Sequence, residues 1–256
     1  MCLAVVALDT HPAFALVIAA NRDEYHDRPA APAAWGDAPP FADILAGRDL
    51  KAGGTWLGVR RDGRWALVTN VREGGRNVPS ARSRGDLVPR VLNAGDPPAE
   101  AVAAIARAPD RYNGFNLLAG DAAGAHWTSN RGGGTRRLAA GVHGLSNALL
   151  DTPWPKLVRT LRAVRAWSAR GEADTAPLFA ALADRVGAAD DELPDTGVTR
   201  DWERLLSPPF IVSPRYGTRC STVLTVDRAG GAVFRERTFD IAGTPAGETV
   251  ETFRVR

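Results

Sequence analysis

With 256 residues and 45% hydrophobic content the chain can bury a substantial core, as one large or two small domains, and no linker divides it, so residues 1–256 are read as a single domain. The net charge of +3 comes from basic residues that are nearly all arginine, Lys51 and Lys156 being the only lysines, dispersed among 29 acids. The absence of a helix-turn-helix, zinc-ligand spacing or aromatic-basic platform argues against nucleic acid as a partner. Two cysteines, Cys2 and Cys220, no export signal and no membrane-length apolar run point to a cytoplasmic chain with reduced thiols and no membrane insertion.

The first two elements are apolar runs rich in β-branched residues, 2–8 and 14–20, separated by the turn-like Asp9-Thr10-His11-Pro12. Folded as a hairpin, they set residue 2 opposite residue 19 and bring Asn21-Arg22-Asp23-Glu24 out at the sheet end where Cys2 stands. Residues 26–50, rich in proline and alanine, read as an ordered but irregular loop. Residues 55–60 and 64–71 form a second hairpin about Arg61-Asp62-Gly63, ending at Asn70. Ser83 with an acid three residues on opens a short helix through Leu92. Residues 98–108 read as another helix, and 114–120 with 126–129 as a third hairpin. The strand pattern continues over 138–145 and ends at Ser146-Asn147.

Thr152 with Pro153 then begins an amphipathic helix whose apolar face carries Leu157, Leu161, Val164 and Trp167. A further helix covers 176–186 and a short one surrounds Trp202. Residues 219–226 and 232–239 close the chain as a last hairpin. Hairpins early, centrally and late, with helices between them, exclude a Rossmann alternation and give an α+β fold, a four-layer α-β-β-α sandwich of two antiparallel sheets.

Chemistry concentrates at the chain start. Methionine is normally trimmed when the next side chain is as small as cysteine's, which would leave Cys2 with a thiol and a free α-amine on one residue. An α-amine with a pKa of about 7.7–8.0 can take the proton of a thiol with a pKa of about 8.5 and lead attack on a carbonyl. Three of the four residues of the tetrad are ionic and follow an apolar run, where charges need partners or a task. The four histidines show no metal spacing, so no metal site is expected.

Cys2, the tetrad, Gly53-Gly54-Thr55-Trp56-Leu57-Gly58, Thr69-Asn70, Tyr112-Asn113-Gly114-Phe115-Asn116-Leu117, Gly144-Leu145-Ser146-Asn147, Asp151-Thr152-Pro153-Trp154-Pro155-Lys156 and Tyr216-Gly217-Thr218-Arg219 together resemble the NRDE family, also called the transport and Golgi organisation protein 2 family, over essentially the whole chain. The resemblance implies an N-terminal-nucleophile hydrolase type of fold. A more distant likeness, to choloylglycine hydrolases and penicillin V acylases, implies roles. Cys2 would be the nucleophile, and Arg22 with Asp23 or Glu24 would hold its thiol and amine. Asn70 would be an oxyanion donor, Asn147 would position the amine or substrate, and Arg219 would support transition-state charge. Asn21, Glu24, Trp56, His26 and His143 are the candidate substrate contacts.

Three readings follow. The first, towards which the residues lean, is a cysteine-dependent amidase for a non-peptide acyl amide, with no cofactor in catalysis. The second is a haem carrier or chaperone, for which His26, His143 or Cys2 would be ligands. The third is an acyl-CoA or lipid binder in which arginines such as Arg72, Arg76, Arg82 and Arg84 hold phosphates. The ligand is a small molecule in each, and the oligomeric state is left open.

Overall fold

The computed structural model describes residues 2–132 and 134–255, without the side chains of Cys2 and Pro109. The chain is α+β, with two antiparallel sheets and, among the described residues, five α-helices, all elements being numbered along the chain. It divides into two compact units.

The first unit comprises the residues up to Asp27, Glu73–Gly75 and Ala140–Arg254. Its strands are β1 (Cys2–Leu8), β2 (Phe14–Tyr25), β10 (Gly141–Leu145), β11 (Tyr216–Asp227), β12 (Gly231–Phe239) and β13 (Pro245–Arg254), hydrogen-bonded in the order β10-β1-β2-β11-β12-β13. The helices α3 (Pro155–Arg170) and α4 (Ala176–Leu182) pack on one face of this sheet. There Leu3, Val5, Val17 and Ala19 meet Leu157, Leu161, Val164, Trp167 and Leu178 in one cluster, each large side chain contributing about 1.5–3 kcal/mol on burial. The close approach of α3 to β10 depends on Gly144, where a Cβ would stand 2.5 Å from Leu157 Cδ1.

The second unit comprises Arg28–Arg72, Arg76–Ala139 and the last residues of the chain. Its sheet runs β3 (Ala30–Trp35), β4 (Ile44–Asp49), β5 (Leu57–Arg60), β6 (Trp65–Asn70), β7 (Phe115–Asp121), β8 (Gly124–Ser129) and β9 (Arg136–Arg137) in sequence order. The helices α1 (Leu87–Leu92) and α2 (Pro98–Ala106) cover it through Val88, Val91, Val102 and Ile105.

Several expectations are corrected. The first hairpin closes at Leu8↔Leu16, so Cys2 pairs with Arg22 rather than with residue 19; the connection is longer than the turn residues suggested, and β2 runs on through the whole tetrad to Tyr25. Residues 26–50 are not an irregular loop but contain β3 and β4. Their alternation is hidden by alanine, and Pro32 is tolerated because β3 is an edge strand with a register shift between Ala31 and Ala34. Helix α3 starts at Pro155 with Trp154 as N-cap, because the Thr152 hydroxyl donates to Leu149 O instead of capping. Helix α4 stops at Leu182, short of Val186, beyond which the Asp184 carboxylate accepts from Val186 N and turns the chain. The late hairpin gains a third strand, β13.

A pH-dependent contribution arises in the second unit. Asp49 accepts from Arg28 Nε at 2.8 Å and from the backbone of Lys51 and Ala52 at 3.0 and 3.2 Å. Burial pushes its carboxyl up, but the Arg28 hydrogen bond and charge and the two backbone donors outweigh it, so the folded pKa falls below the ordinary value. A depressed folded pKa stabilises above the unfolded pKa and loses that contribution as pH falls through the folded one. Asp49→Asn should therefore cost about 1.5–3 kcal/mol at pH 7, and the cost should shrink below pH of about 4, as read by urea denaturation at pH 7 and pH 3.

Candidate functional site

The strand order β10-β1-β2-β11 lines up one end of four neighbouring strands. Arg22 is paired on one side with Cys2 and on the other with Cys220, and Leu145 is paired with Ala4, so the chain leaves β10 for Asn147 at the end where Cys2 begins β1. Met1, whose removal the sequence reading requires, and the Cys2 thiol lie outside the described residues. The Cys2 and Cys220 backbones are two strand spacings apart, about 10 Å, which is beyond the reach of a disulfide.

Alternation along β2 sorts the tetrad by face. Arg22 and Glu24 share one face, with Nη2 and Oε2 4.0 Å apart. Asn21 and Asp23 share the other, which carries α3 and α4. Asn21 is 1% exposed and fully committed: its amide nitrogen donates to Leu182 O at 2.8 Å and Pro209 O at 2.9 Å, and its Oδ1 accepts from Ser221 Oγ at 2.6 Å. That geometry is a structural clasp between the sheet and the segments after α4.

Asp23 is wholly buried. Its Oδ1 accepts from Thr218 Oγ1 at 2.7 Å, its carbonyl accepts from Tyr216 OH at 3.1 Å, and Thr218 Oγ1 in turn accepts from Ile211 N at 2.9 Å. Burial pushes the carboxyl above its ordinary value, against the lowering influences of Lys156, Thr218 and Arg22. Lys156, at the head of α3 and 1% exposed, donates to Leu206 O at 2.9 Å. A buried lysine within electrostatic reach of a buried aspartate is the main feature the sequence reading missed. The available signal was that Lys156, one of two lysines, closes the 151–156 motif.

Arg219 occupies a bulge. The register passes from Asp23↔Thr218 to Arg22↔Cys220, leaving Arg219 as the extra residue, an arrangement that re-aims a side chain and ends regular pairing. Its Nη1 donates to Tyr25 O at 3.1 Å and His26 O at 3.2 Å, tying down the end of β2. Burial lowers its pKa, as does the nearby charge of Arg22, while Cys220 and Glu24 act in the opposite sense. Gly217 permits this turn, since a Cβ there would meet Ile211 O at 2.8 Å and His26 Cε1 at 3.2 Å. Two arginines, one glutamate, two strand-paired cysteine positions and Asn147, itself buried, thus gather at one sheet end. Such a cluster can hold an anion or steady developing negative charge.

Of the remaining expected residues, two belong to the second unit and two to the first. Asn70 ends β6 opposite Phe115, and Trp56 stacks its ring where a Cβ on Gly47 would be, both in the second unit. His26 contacts Ser213 O through Nε2 at 3.0 Å. His143 pairs with Val6, four residues along β1 from Cys2, or about 13 Å, and its Nδ1 lies 3.1 Å from Asp151 Oδ2. Each of these imidazoles thus has one ring nitrogen in contact with the protein. Among the described residues no group of three or more His, Cys, Asp or Glu could hold a metal ion, and no helix is long and apolar enough to cross a membrane.

These features define an α+β protein of two antiparallel sheets in which ionic side chains of β2 and β11 stand at one sheet end with the start of β1 and the exit of β10. The chain belongs to the family described as Transport and Golgi organisation 2, whose model matches residues 1–241. The Transport and Golgi organization 2 homolog of Mus musculus is 32% identical over 271 residues, covering 97% of each chain. The Bos taurus and Homo sapiens homologs are 35% and 34% identical, each covering 93% of this chain and 92% of the relative. Two crystal structures of variants of conjugated bile acid hydrolase from Clostridium perfringens align over 99% of this chain and 97% of theirs, with TM-scores of 0.48 and 0.47 at 9% and 8% identity.

Proposed function

We propose that the protein is an N-terminal-nucleophile amidase that cleaves the C–N bond of a non-peptide acyl amide through Cys2. The observation that carries this reading is the register that pairs Cys2 with Arg22 and Arg22 with Cys220, beside the Arg219 bulge and the Asn147 turn. In this reading Met1 is removed, and the freed α-amine takes the thiol proton as sulfur attacks the acyl carbon. Negative charge then develops on the carbonyl oxygen, where Asn147 and the Arg22–Arg219 pair supply donors and positive potential. Collapse expels the amine, which leaves with the proton held by the α-amine, and a thioester remains. Water, deprotonated by the same amine, hydrolyses the thioester to the acid and restores the thiol.

The test is a panel of acyl amides given to protein whose intact mass shows Met1 removed, beside Cys2→Ala. Turnover should fall by at least about 10³-fold in Cys2→Ala, on the order of losing a covalent nucleophile, and the wild-type rate should rise with pH as the α-amine deprotonates near pH 8. Processed wild-type protein without turnover, or a Cys2→Ala variant as active as the wild type, would overturn the proposal.

A further inference from the structure

Trp167 and Trp127 donate their indole N–H groups within the protein, to Asp174 O and Asn116 Oδ1. Trp202, in the first unit, does not. It belongs to a trio of rings that meet edge to face, with centroids 5.1 Å apart for Tyr25 and Tyr216, 5.8 Å for Trp202 and Tyr216 and 6.4 Å for Tyr25 and Trp202. Tyr216 is buried and commits its hydroxyl to Asp23 O. Trp202 is only half-buried and Tyr25 is 46% exposed. Neither Trp202 Nε1 nor the Tyr25 hydroxyl makes a hydrogen bond with a described residue.

Trp202 and Tyr216, with Leu205 and Pro214, line a cavity of about 290 Å³. Asp201, Ser213 and Arg215 complete its lining. Asp201 Oδ1 accepts from Arg204 Nη1 at 2.8 Å, and Ser213 Oγ donates to Tyr216 O at 2.6 Å and accepts from Tyr216 N at 3.3 Å. The exposed Arg215 side chain, by contrast, makes no hydrogen bond or ion pair with a described residue. The backbone beneath it is held, since His26 N donates to Arg215 O at 2.9 Å and His26 Nε2 lies 3.0 Å from Ser213 O.

The surface thus offers ring faces together with polar groups that mainly donate: an indole N–H, a phenol and a guanidinium. Its complement is a chain rich in acceptors and poor in donors. Proline supplies that, because it has no N–H, and an extended polyproline backbone leaves its carbonyl oxygens free of internal hydrogen bonds. Proline rings pack on aromatic faces, and the stiff chain loses little freedom on docking. The cavity lies at the lower end of small-molecule sites, about 300–1,000 Å³, which suits the rings of a passing segment better than an enclosed ligand. Arg215 at the rim can pair with a carboxylate of that segment.

We infer that the Tyr25–Trp202–Tyr216 surface is a docking site for an extended, proline-rich peptide segment that carries an acidic residue. It is independent of the amidase reading, in which none of these three rings takes part.

Fluorescence anisotropy of the full chain with a labelled peptide of hexaproline followed by glutamate tests this. Saturable binding is expected, and a hexaalanine peptide ending in glutamate should not bind. Trp202→Phe keeps a ring but removes the N–H, and should weaken binding by about threefold or more. Arg215→Glu should weaken it by about tenfold and reverse the preference, so that hexaproline followed by lysine becomes the tighter peptide. Both variants should keep the wild-type circular dichroism spectrum. No saturable binding of the proline peptide, equal binding of the alanine peptide, or an unchanged charge preference in Arg215→Glu would overturn the inference. So would competition by N-acetylproline amide at the concentration of the peptide, which would make this a small-molecule pocket instead.

Discussion

Lys156→Met is expected to destabilise the protein by about 1.5–3 kcal/mol or more at neutral pH, since it strands a buried carbonyl that accepts from a charged donor and removes the largest positive influence on Asp23. Methionine keeps the volume of the side chain, so the loss reports on charge and hydrogen bonding rather than on a cavity. It removes the donor to Leu206 O and the main positive influence on Asp23, leaving a wholly buried carboxyl with Thr218 and Arg22 among its remaining counterparts. The pH dependence has a definite sign. Asp23 has a folded pKa raised above its unfolded value, so its contribution is most favourable below the unfolded pKa and is lost as pH rises through the folded one. Taking away Lys156 raises that folded pKa further. The penalty of Lys156→Met should thus grow as pH rises and shrink in acid, where the carboxyl is protonated in both proteins. Adding Asp23→Asn should restore a large part of the loss, because no carboxylate then remains buried at that position without the lysine. Urea midpoints from pH 4 to pH 8 for the single and double variants check this. A single variant with the wild-type midpoint at pH 7.5 would show that the pair is not coupled.

Asn21→Ala is expected to cost about 3 kcal/mol or more. Two carbonyl oxygens, of Leu182 and Pro209, and the Ser221 hydroxyl lose their partner together in a buried setting, and each stranded group costs about 1–3 kcal/mol unless water reaches it. Asn21→Asp should be worse, since it aims a carboxylate at two carbonyl oxygens. The outcome also separates two roles for the first letter of the tetrad. A clasp lowers the urea midpoint whatever ligand is present. A substrate contact would instead leave the midpoint unchanged and raise KM alone.

Some of this site was legible from residue order. Apolar runs rich in β-branched residues announced β1 and β2, and any hairpin between them carries the tetrad to the Cys2 end. The register was not legible, because turn residues at 9–12 do not reveal that the connection extends to Ala15; three residues of slippage decided that Arg22, not Ala19, stands beside Cys2. Periodicity also gave α3 its apolar face, while the helix begins one proline later than the capping rule places it and has no side-chain cap. In residues 26–50, alanine and proline gave no period to read, and pairing with neighbouring strands created β3 and β4.

What the sequence determined by itself was local: strand and helix character, the amphipathic face of α3, the placement of ionic residues at the end of an apolar run, and the motifs that place the chain in its family. Long-range pairing decided the rest. It split the tetrad between two faces of a strand, turned Arg219 into a bulge gripping Tyr25 and His26, and drew Lys156 to Asp23 and His143 to Asp151. Backbone propensity and periodicity act within about ten residues, whereas burial of a charge is tolerable only once the fold has supplied its partner from far along the chain.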